Sequence, residues 1–151
     1  MKIALVAHGD NPPYLKELFN GEGFELIEKE CNNEKEYIDL LKDADGALIY
    51  LHPLTTKEIM EQCSNLKVIS RGGVGVDSVD LEAATELGIC ICNTPGINTT
   101  EVADHAMAML LSLTRKIREQ DALVKKGYWA DRTELVHPYR SELGRIAGNI
   151  V

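Results

Sequence analysis

The sequence has few aromatic residues, little positive charge and no long apolar run. One Trp and two Phe occur among 151 residues, so aliphatic side chains must fill the core. The net charge of -8 argues against a general affinity for nucleic acid or for anionic membranes. The apolar run around Ala106–Leu113 is far shorter than the roughly 20 residues that span a bilayer. These absences indicate a globular protein with neither a nucleic-acid nor a membrane partner.

A secretory signal is also missing. The apolar run Ile3–Ala7, directly after Met1-Lys2, is too short for a signal peptide, so we expect a cytoplasmic protein.

The cysteines lack the paired C-x-x-C spacing of a zinc site, so no metal site is predicted. Free cysteines are often buried, which predicts that Cys31, Cys63, Cys90 and Cys92 are buried, reduced thiols. Cys90 and Cys92 would point to one face of a regular strand. A redox role remains the alternative.

Short apolar runs alternate with helical patterns along the chain. The sequence predicts five strands, at Ile3–Ala7, Phe24–Ile27, Ala47–Leu51, Leu66–Ile69 and Ile89–Cys92. Strands that alternate with helices over short connections form a parallel sheet with right-handed crossovers. The prediction is an α/β fold with a flavodoxin-like, doubly wound, five-stranded parallel sheet.

Capping residues place the helices. Asn33 is predicted to cap one helix, Thr55 or Thr56 a short one, and Gly88 to end the helix that begins at Asp80. Thr99 or Thr100 would cap a long C-terminal helix from about Glu101 to Arg118, which could continue toward Lys126.

A glycine-rich loop follows the fourth predicted strand. Arg71–Gly75 contains three glycines, which let the backbone approach a ligand and expose successive amides to a carboxylate. A tight turn that needs glycine only for steric reasons explains the composition equally well. The loop Asn93–Thr100 leads into a helix N-terminus, which favours anions. Ordinary capping is the alternative, and spacing alone leaves open whether Asn98 faces a ligand.

Both loops lie in the segment Leu66–Ala108, which resembles a known family. Its phrases RGGVGVDSVDLEAATELGI and CNTPGINTTEVADHAMAMLLSLTRKI, followed by KKGYW, resemble the D-isomer-specific 2-hydroxyacid dehydrogenases, especially the phosphoglycerate dehydrogenase branch. The resemblance implies an N-terminal substrate domain of flavodoxin-like fold and a Rossmann domain. It also implies hydride transfer between NAD and a small 2-hydroxy or 2-keto acid.

The resemblance implies substrate contacts residue by residue. Gly73, Val74 and Gly75 match the loop whose backbone amides hold the substrate carboxylate. Arg71 matches an arginine that helps to hold the substrate phosphate, and Asn98 matches a polar residue that reaches the substrate.

It implies cofactor contacts as well. Val74 matches a position packed against the nicotinamide, and Thr99 and Val102 match the helix start that lines the NAD cleft. In the family the long helix contributes to the dimer interface, which implies a homodimer.

The sequence also departs from the family. Tyr50 stands where several phosphoglycerate enzymes have an arginine, which weakens the case for a phosphorylated substrate. His52 is a candidate proton-transfer group, although a loop histidine without a partner is more often structural or solvated, and His105 is a weaker candidate. No catalytic residue is assigned, because the family's catalytic Arg, Glu and His lie in segments that this sequence lacks.

The dinucleotide-binding fingerprint is incomplete. It needs G-x-G-x-x-G between a strand and a helix, whereas Leu143 is followed directly by Gly144-Arg145-Ile146-Ala147-Gly148 with no strand between. We therefore expect the Rossmann domain to be absent or truncated; a plain polar tail is the alternative.

The expected organisation has three parts. Residues 1–98 form the substrate-binding domain, 99–127 the long interdomain helix, and 128–151 an arm that leads toward a missing dinucleotide-binding domain. The leading hypothesis is the substrate-binding part of an NAD-dependent D-2-hydroxyacid dehydrogenase, inactive as an isolated chain. The alternatives are a stand-alone small-carboxylate binding or regulatory module and an oligomerisation fragment.

Overall fold

The computed structural model describes residues 1–7, 11–131, 134 and 142–148. It divides into two units, Met1–Ile97 and Asn98–Val151. The first unit contains five strands: β1 Lys2–Val6, β2 Glu25–Lys29, β3 Gly46–Ile49, β4 Val68–Arg71 and β5 Cys90–Cys92. Its helices are α1 Tyr14–Gly21, α2 Glu34–Leu41, α3 Lys57–Glu61 and α4 Leu81–Leu87. Every strand that the apolar runs predict is present, with ends shifted by a few residues.

All strand pairs are parallel, and the sheet order is β2-β1-β3-β4-β5. This is the flavodoxin-like winding, which confirms the predicted fold class. The carboxyl ends of the strands share one edge of such a sheet, where doubly wound proteins bind their ligands. That edge therefore carries the loops that follow β3, β4 and β5.

One face of the sheet carries the core. Side chains of Ala4, Val6, Ala47, Ile49 and Ile69 point to this face and pack against apolar residues of α2, α3 and α4. The largest fully buried side chain is Tyr37 of α2, whose hydroxyl forms a 2.7 Å hydrogen bond with Thr55 Oγ1. Because both groups are buried, each satisfies the polar atom of the other.

Local capping matches several predictions. The Asn33 side chain accepts a 2.9 Å hydrogen bond from the amide of Glu36, and the Glu36 carboxylate accepts one of 3.0 Å from the amide of Asn32. Asp80 caps α4 through the amide of Ala83, and Gly88 ends that helix in the left-handed conformation. Of Thr55 and Thr56, Thr56 occupies the cap position of α3.

The second unit contains α5 Thr99–Thr114, α6 Ile117–Lys125 and α7 Tyr128–Asp131. The expected helix to Arg118 ends early, since Lys116 adopts the left-handed φ of 49°. Tertiary contacts contribute to this break: the carbonyl of Thr114 accepts a 2.7 Å hydrogen bond from the amide of Gly144, and Arg115 donates to the Gly144 carbonyl. The start of α5 also differs from the prediction, because Asn98 and not Thr99 or Thr100 occupies the cap position.

The expectation of four buried thiols is wrong for two of them. Cys63 is buried and Cys31 is half-buried, whereas Cys90 and Cys92 are exposed. The reason is that β5 lies at the sheet edge and its cysteines point away from the core face, which Ile91 contacts. All four cysteines are free thiols. Among the described residues, no helix is long and apolar enough to cross a membrane.

Candidate anion-binding site at the end of β4

The loop after β4 is held close to the sheet. Gly72 donates a 2.8 Å hydrogen bond to the carbonyl of Ile49. A Cβ at Gly72 would lie 2.9 Å from Cε1 of Tyr50, so the tyrosine ring requires a glycine at this position. The Tyr50 hydroxyl donates to Asn11 Oδ1 over 3.2 Å, which links this loop to the N-terminal part of the unit.

Arg71 folds back over the loop that follows it. A Cβ on Gly73 would lie 1.5 Å from Arg71 Nη1, so the guanidinium occupies the space that any other residue's side chain would need. The amide of Gly73 donates a 2.8 Å hydrogen bond to the Arg71 carbonyl. The Arg71 side chain and the glycine loop are therefore in contact.

One donor of Arg71 lacks an acceptor. Its Nε is buried, and among the described residues no hydrogen-bond acceptor reaches it. An unpaired buried donor is costly, and a guanidinium is well suited to bind a carboxylate in a bidentate manner. The guanidinium therefore brings a positive charge to the loop, where an anion would be stabilised.

Some backbone amides of the loop have a hydrogen-bond acceptor, and others do not; the latter are called open amides here. The amide of Gly73 donates to the Arg71 carbonyl and is therefore engaged in this structure. Within the described part of the chain, the amides of Val74 and Gly75 have no acceptor. These two amides are the available backbone donors of the loop.

Two residues that the sequence reasoning did not single out support this loop from β5. Asn93 Nδ2 donates a 2.7 Å hydrogen bond to the carbonyl of Val74. The amide of Thr94 donates to the Gly73 carbonyl over 3.0 Å. Both residues follow β5, the strand next to β4. Their position after a neighbouring strand is the feature of the sequence that could have indicated their role. The two bonds hold the carbonyls of Gly73 and Val74 against the chain that follows β5.

Asp77 adds a negative charge beside the loop. A Cβ on Gly75 would lie 2.9 Å from Asp77 Oδ2, so the carboxylate packs against this glycine. A carboxylate here opposes the accumulation of further negative charge, which disfavours a multiply charged ligand.

The remaining candidate residues lie in the second unit, at the first turns of α5. Asn98 precedes the helix and makes no capping hydrogen bond with its side chain, while its carbonyl accepts from the amide of Val102 over 3.0 Å. Thr99 is the first helical residue. Val102 is exposed and, with Glu101, His105, Ala106 and Met109, lines a mainly apolar depression of about 380 Å³.

His52 lies elsewhere at the carboxyl edge of the sheet. It lines a cavity of about 490 Å³ together with residues that follow β1 and β2, and no residue of the loop 71–75 belongs to that lining. His105 lies on α5, in the second unit. No group of three or more metal-binding side chains occurs among the described residues.

A flavodoxin-like sheet with a glycine-rich loop at its carboxyl edge defines a class of ligand-binding α/β domain. Within that class, the chain belongs to the D-isomer specific 2-hydroxyacid dehydrogenases. Residues 4–134 match the catalytic domain of this family.

Individual relatives agree with this assignment. The chain is 37% identical over 126 residues to the D-3-phosphoglycerate dehydrogenase of Archaeoglobus fulgidus. The matched region covers 83% of this chain and 24% of that protein. It is 35% identical over 117 residues to the enzyme of Sus scrofa, with coverage of 78% and 22%. The chain therefore spans less than a quarter of the length of these relatives.

Solved structures are similar as well. The NAD-dependent formate dehydrogenase of Staphylococcus aureus, solved with NAD, has a TM-score of 0.76 and 29% identity over 95% of this chain and 46% of that chain. An acyclic imino acid reductase solved with NADPH and D-Arg has a TM-score of 0.74 at 29% identity, covering 84% and 41%.

Proposed function

We propose that this chain forms the substrate-binding part of an NAD-dependent D-2-hydroxyacid dehydrogenase. The observation that carries the proposal is the Arg71 guanidinium over a loop whose Val74 and Gly75 amides have no acceptor among the described residues. A carboxylate offers two oxygens that can accept from a guanidinium and from backbone amides. These residues would hold the carboxylate of a 2-hydroxy or 2-keto acid, with Asn98 as a further substrate contact.

The residues of the chain fit the acid better than they fit NAD. Glu142, Ala147 and Gly148 lie in turns, and no strand occurs among the described residues after Cys92, so the described residues of this part supply no βαβ unit for a dinucleotide. Bound NAD would supply the hydride acceptor, with Val74, Thr99 and Val102 as its contacts. We expect the 151-residue chain by itself to show no NADH-dependent reduction of hydroxypyruvate.

Two features favour a substrate without a phosphate. Tyr50 packs its ring against Gly72 where several phosphoglycerate enzymes have an arginine, and Asp77 places a carboxylate next to Gly75. Both lower the local positive charge. We therefore propose a small, unphosphorylated acid as the preferred ligand.

The test is a titration of isotope-labelled protein with D-lactate, followed by amide NMR shifts. Shifts are expected at Val74 and Gly75. Arg71→Gln should weaken binding about tenfold or more, since a charge-assisted hydrogen bond contributes about 1.5–3 kcal/mol. Arg118→Gln removes the same charge from α6 and serves as the matched control.

Equal affinity in the two arginine variants would contradict the role of Arg71. An absence of shifts with any 2-hydroxy or 2-keto acid would contradict the proposed function itself. Tighter binding of D-3-phosphoglycerate than of D-lactate would contradict only the preference for an unphosphorylated acid.

A stand-alone carboxylate-binding module is the second candidate function. The observation that favours it is that Arg71, the open amides and their supports Asn93 and Thr94 all lie in the first unit, which has its own core. Micromolar affinity for a 2-hydroxy acid without any cofactor would favour the module, whereas millimolar affinity would favour the dehydrogenase part.

We further propose that the protein forms a homodimer through α5. This helix has no buried residue, and exposed apolar side chains occur along its length, among them Val102, Met107, Met109, Leu111 and Leu113. Large exposed apolar patches promote association. Light scattering should show a dimer that Met109→Glu shifts toward monomer and that the control Leu81→Glu, at an exposed leucine of α4, leaves unchanged. A monomeric wild-type protein at high concentration would contradict this proposal.

A further inference from the structure

Two exposed thiols lie next to each other on β5. Cys90 and Cys92 are both exposed, while Ile91 between them is half-buried against the core. Residues two apart on a strand point to the same face, so both thiols project from the face opposite the core. β5 is the edge strand, which leaves the pair accessible.

The two thiols are neighbours on one face of β5, separated by a single residue. On the same face, the parallel register pairs Cys90 with Val68 and Cys92 with Ser70 of β4. Neither of these two neighbours carries a charge.

The strand spacing disfavours a disulfide between them. Two residues rise about 6.6 Å along a strand, which is close to the upper limit of the Cα separation in disulfides. A regular strand therefore keeps the pair as a dithiol, whose sulfurs can converge on one ion placed between them.

We propose that Cys90 and Cys92 bind one soft monovalent cation, Cu(I), as a two-sulfur site. Thiolates select soft ions such as Cu(I), which accepts two sulfurs in a near-linear arrangement. Zinc needs four ligands, and no group of three or more His, Cys, Asp or Glu side chains occurs in the described part of the chain. On binding, each thiol loses its proton to solvent and each sulfur forms a bond to copper. No electron is transferred.

The charge of the protein favours this ligand. The chain carries a net charge of -8, which attracts cations, and the site itself gains one negative charge when two thiolates bind one Cu(I). Binding releases protons, so apparent affinity should increase with pH across the neutral range.

The experiment is an anaerobic competition titration of the whole chain with Cu(I) against a colorimetric Cu(I) chelator. One copper per chain is expected. Cys90→Ser and Cys92→Ser should each weaken binding by more than about 100-fold, beyond the tenfold to 100-fold effect of a merely supporting residue. Cys31→Ser, which changes the half-buried thiol, is the control and should leave the affinity unchanged.

Sulfur coordination provides an independent readout. X-ray absorption of the loaded protein should show copper bound by two sulfurs. Unchanged affinity in either β5 variant, a stoichiometry of one copper per two chains, or zinc binding that resists a zinc chelator would each overturn the two-sulfur site. Folding of the serine variants is checked by circular dichroism, and Cys90→Ala provides a second substitution if serine disturbs the strand.

Discussion

The two units of this protein use apolar residues in opposite ways. In the first unit, Met1–Ile97, apolar side chains from β1, β3, β4 and three helices form one buried cluster. In the second, Asn98–Val151, neither α5 nor α6 has a buried residue, although α5 is rich in Ala, Leu and Met. The first unit therefore derives its stability from internal burial, whereas the apolar residues of α5 are available to a surface outside that helix.

The largest expected change in the free energy of unfolding is the difference between truncating a buried leucine and truncating an exposed one. Leu41 of α2 is fully buried, whereas Leu113 of α5 is 78% exposed. Leu41→Ala should lower the free energy of unfolding by about 2–5 kcal/mol, because it removes buried methyl groups and leaves a cavity. Leu113→Ala should change it by less than about 0.5 kcal/mol in urea unfolding at low protein concentration. Equal losses would show that α5 is buried in solution.

A smaller effect is expected at the buried hydrogen bond of the first unit. Tyr37→Phe removes the hydroxyl that bonds Thr55 and leaves a buried threonine oxygen without its partner. The expected loss is about 1–3 kcal/mol, measured by thermal or urea unfolding. Adding Thr55→Val to Tyr37→Phe removes the orphaned group and should restore part of the stability. If the double variant is less stable than the single one, the hydrogen bond is not the cause.

The same unit should lose stability at alkaline pH. Burial raises the pKa of Tyr37 from 10.0 to about 12 and that of Cys63 from 9.0 to about 11. The folded state then holds protons that the unfolded state releases, so the free energy of unfolding falls as pH rises above 9 toward 12. Tyr37→Phe should flatten the decline above pH 10 in unfolding curves recorded at several pH values. An unchanged slope would contradict the tyrosine's part in it.

The smallest effect compares two glycines with positive φ. Gly88 after α4 has a φ of 71° and Gly127 after α6 a φ of 77°, and a Cβ would meet nothing within 4 Å at either. Alanine therefore adds only backbone strain, about 1–2 kcal/mol. Gly88→Ala should lower global stability by that amount, whereas Gly127→Ala should mainly fray α6, which hydrogen exchange would detect. A global loss from both would indicate that the two units unfold together.

The sequence predicted the elements that depend on local chemistry. Apolar runs located all five strands, and Asn33, Asp80 and Gly88 were identified at helix ends because capping needs only neighbouring backbone groups. The family resemblance then implied Arg71 and the glycine loop as a ligand site. The side chain of Asn93 and the amide of Thr94 were missed as individual contacts, since their importance follows from which strand lies beside β4.

By itself, the sequence determined the alternation of strands and helices, hence the parallel sheet and the edge that carries the loops. Only the tertiary structure decided that the Gly73 amide is occupied, that a helix ends at Thr114 and that Cys90 and Cys92 are exposed. It also decided that Arg71 Nε is buried with no acceptor among the described residues. The physical reason is the distance along the sequence over which each interaction acts. Capping and periodicity act within a few residues, whereas burial and hydrogen-bond satisfaction depend on which distant segments of the chain meet.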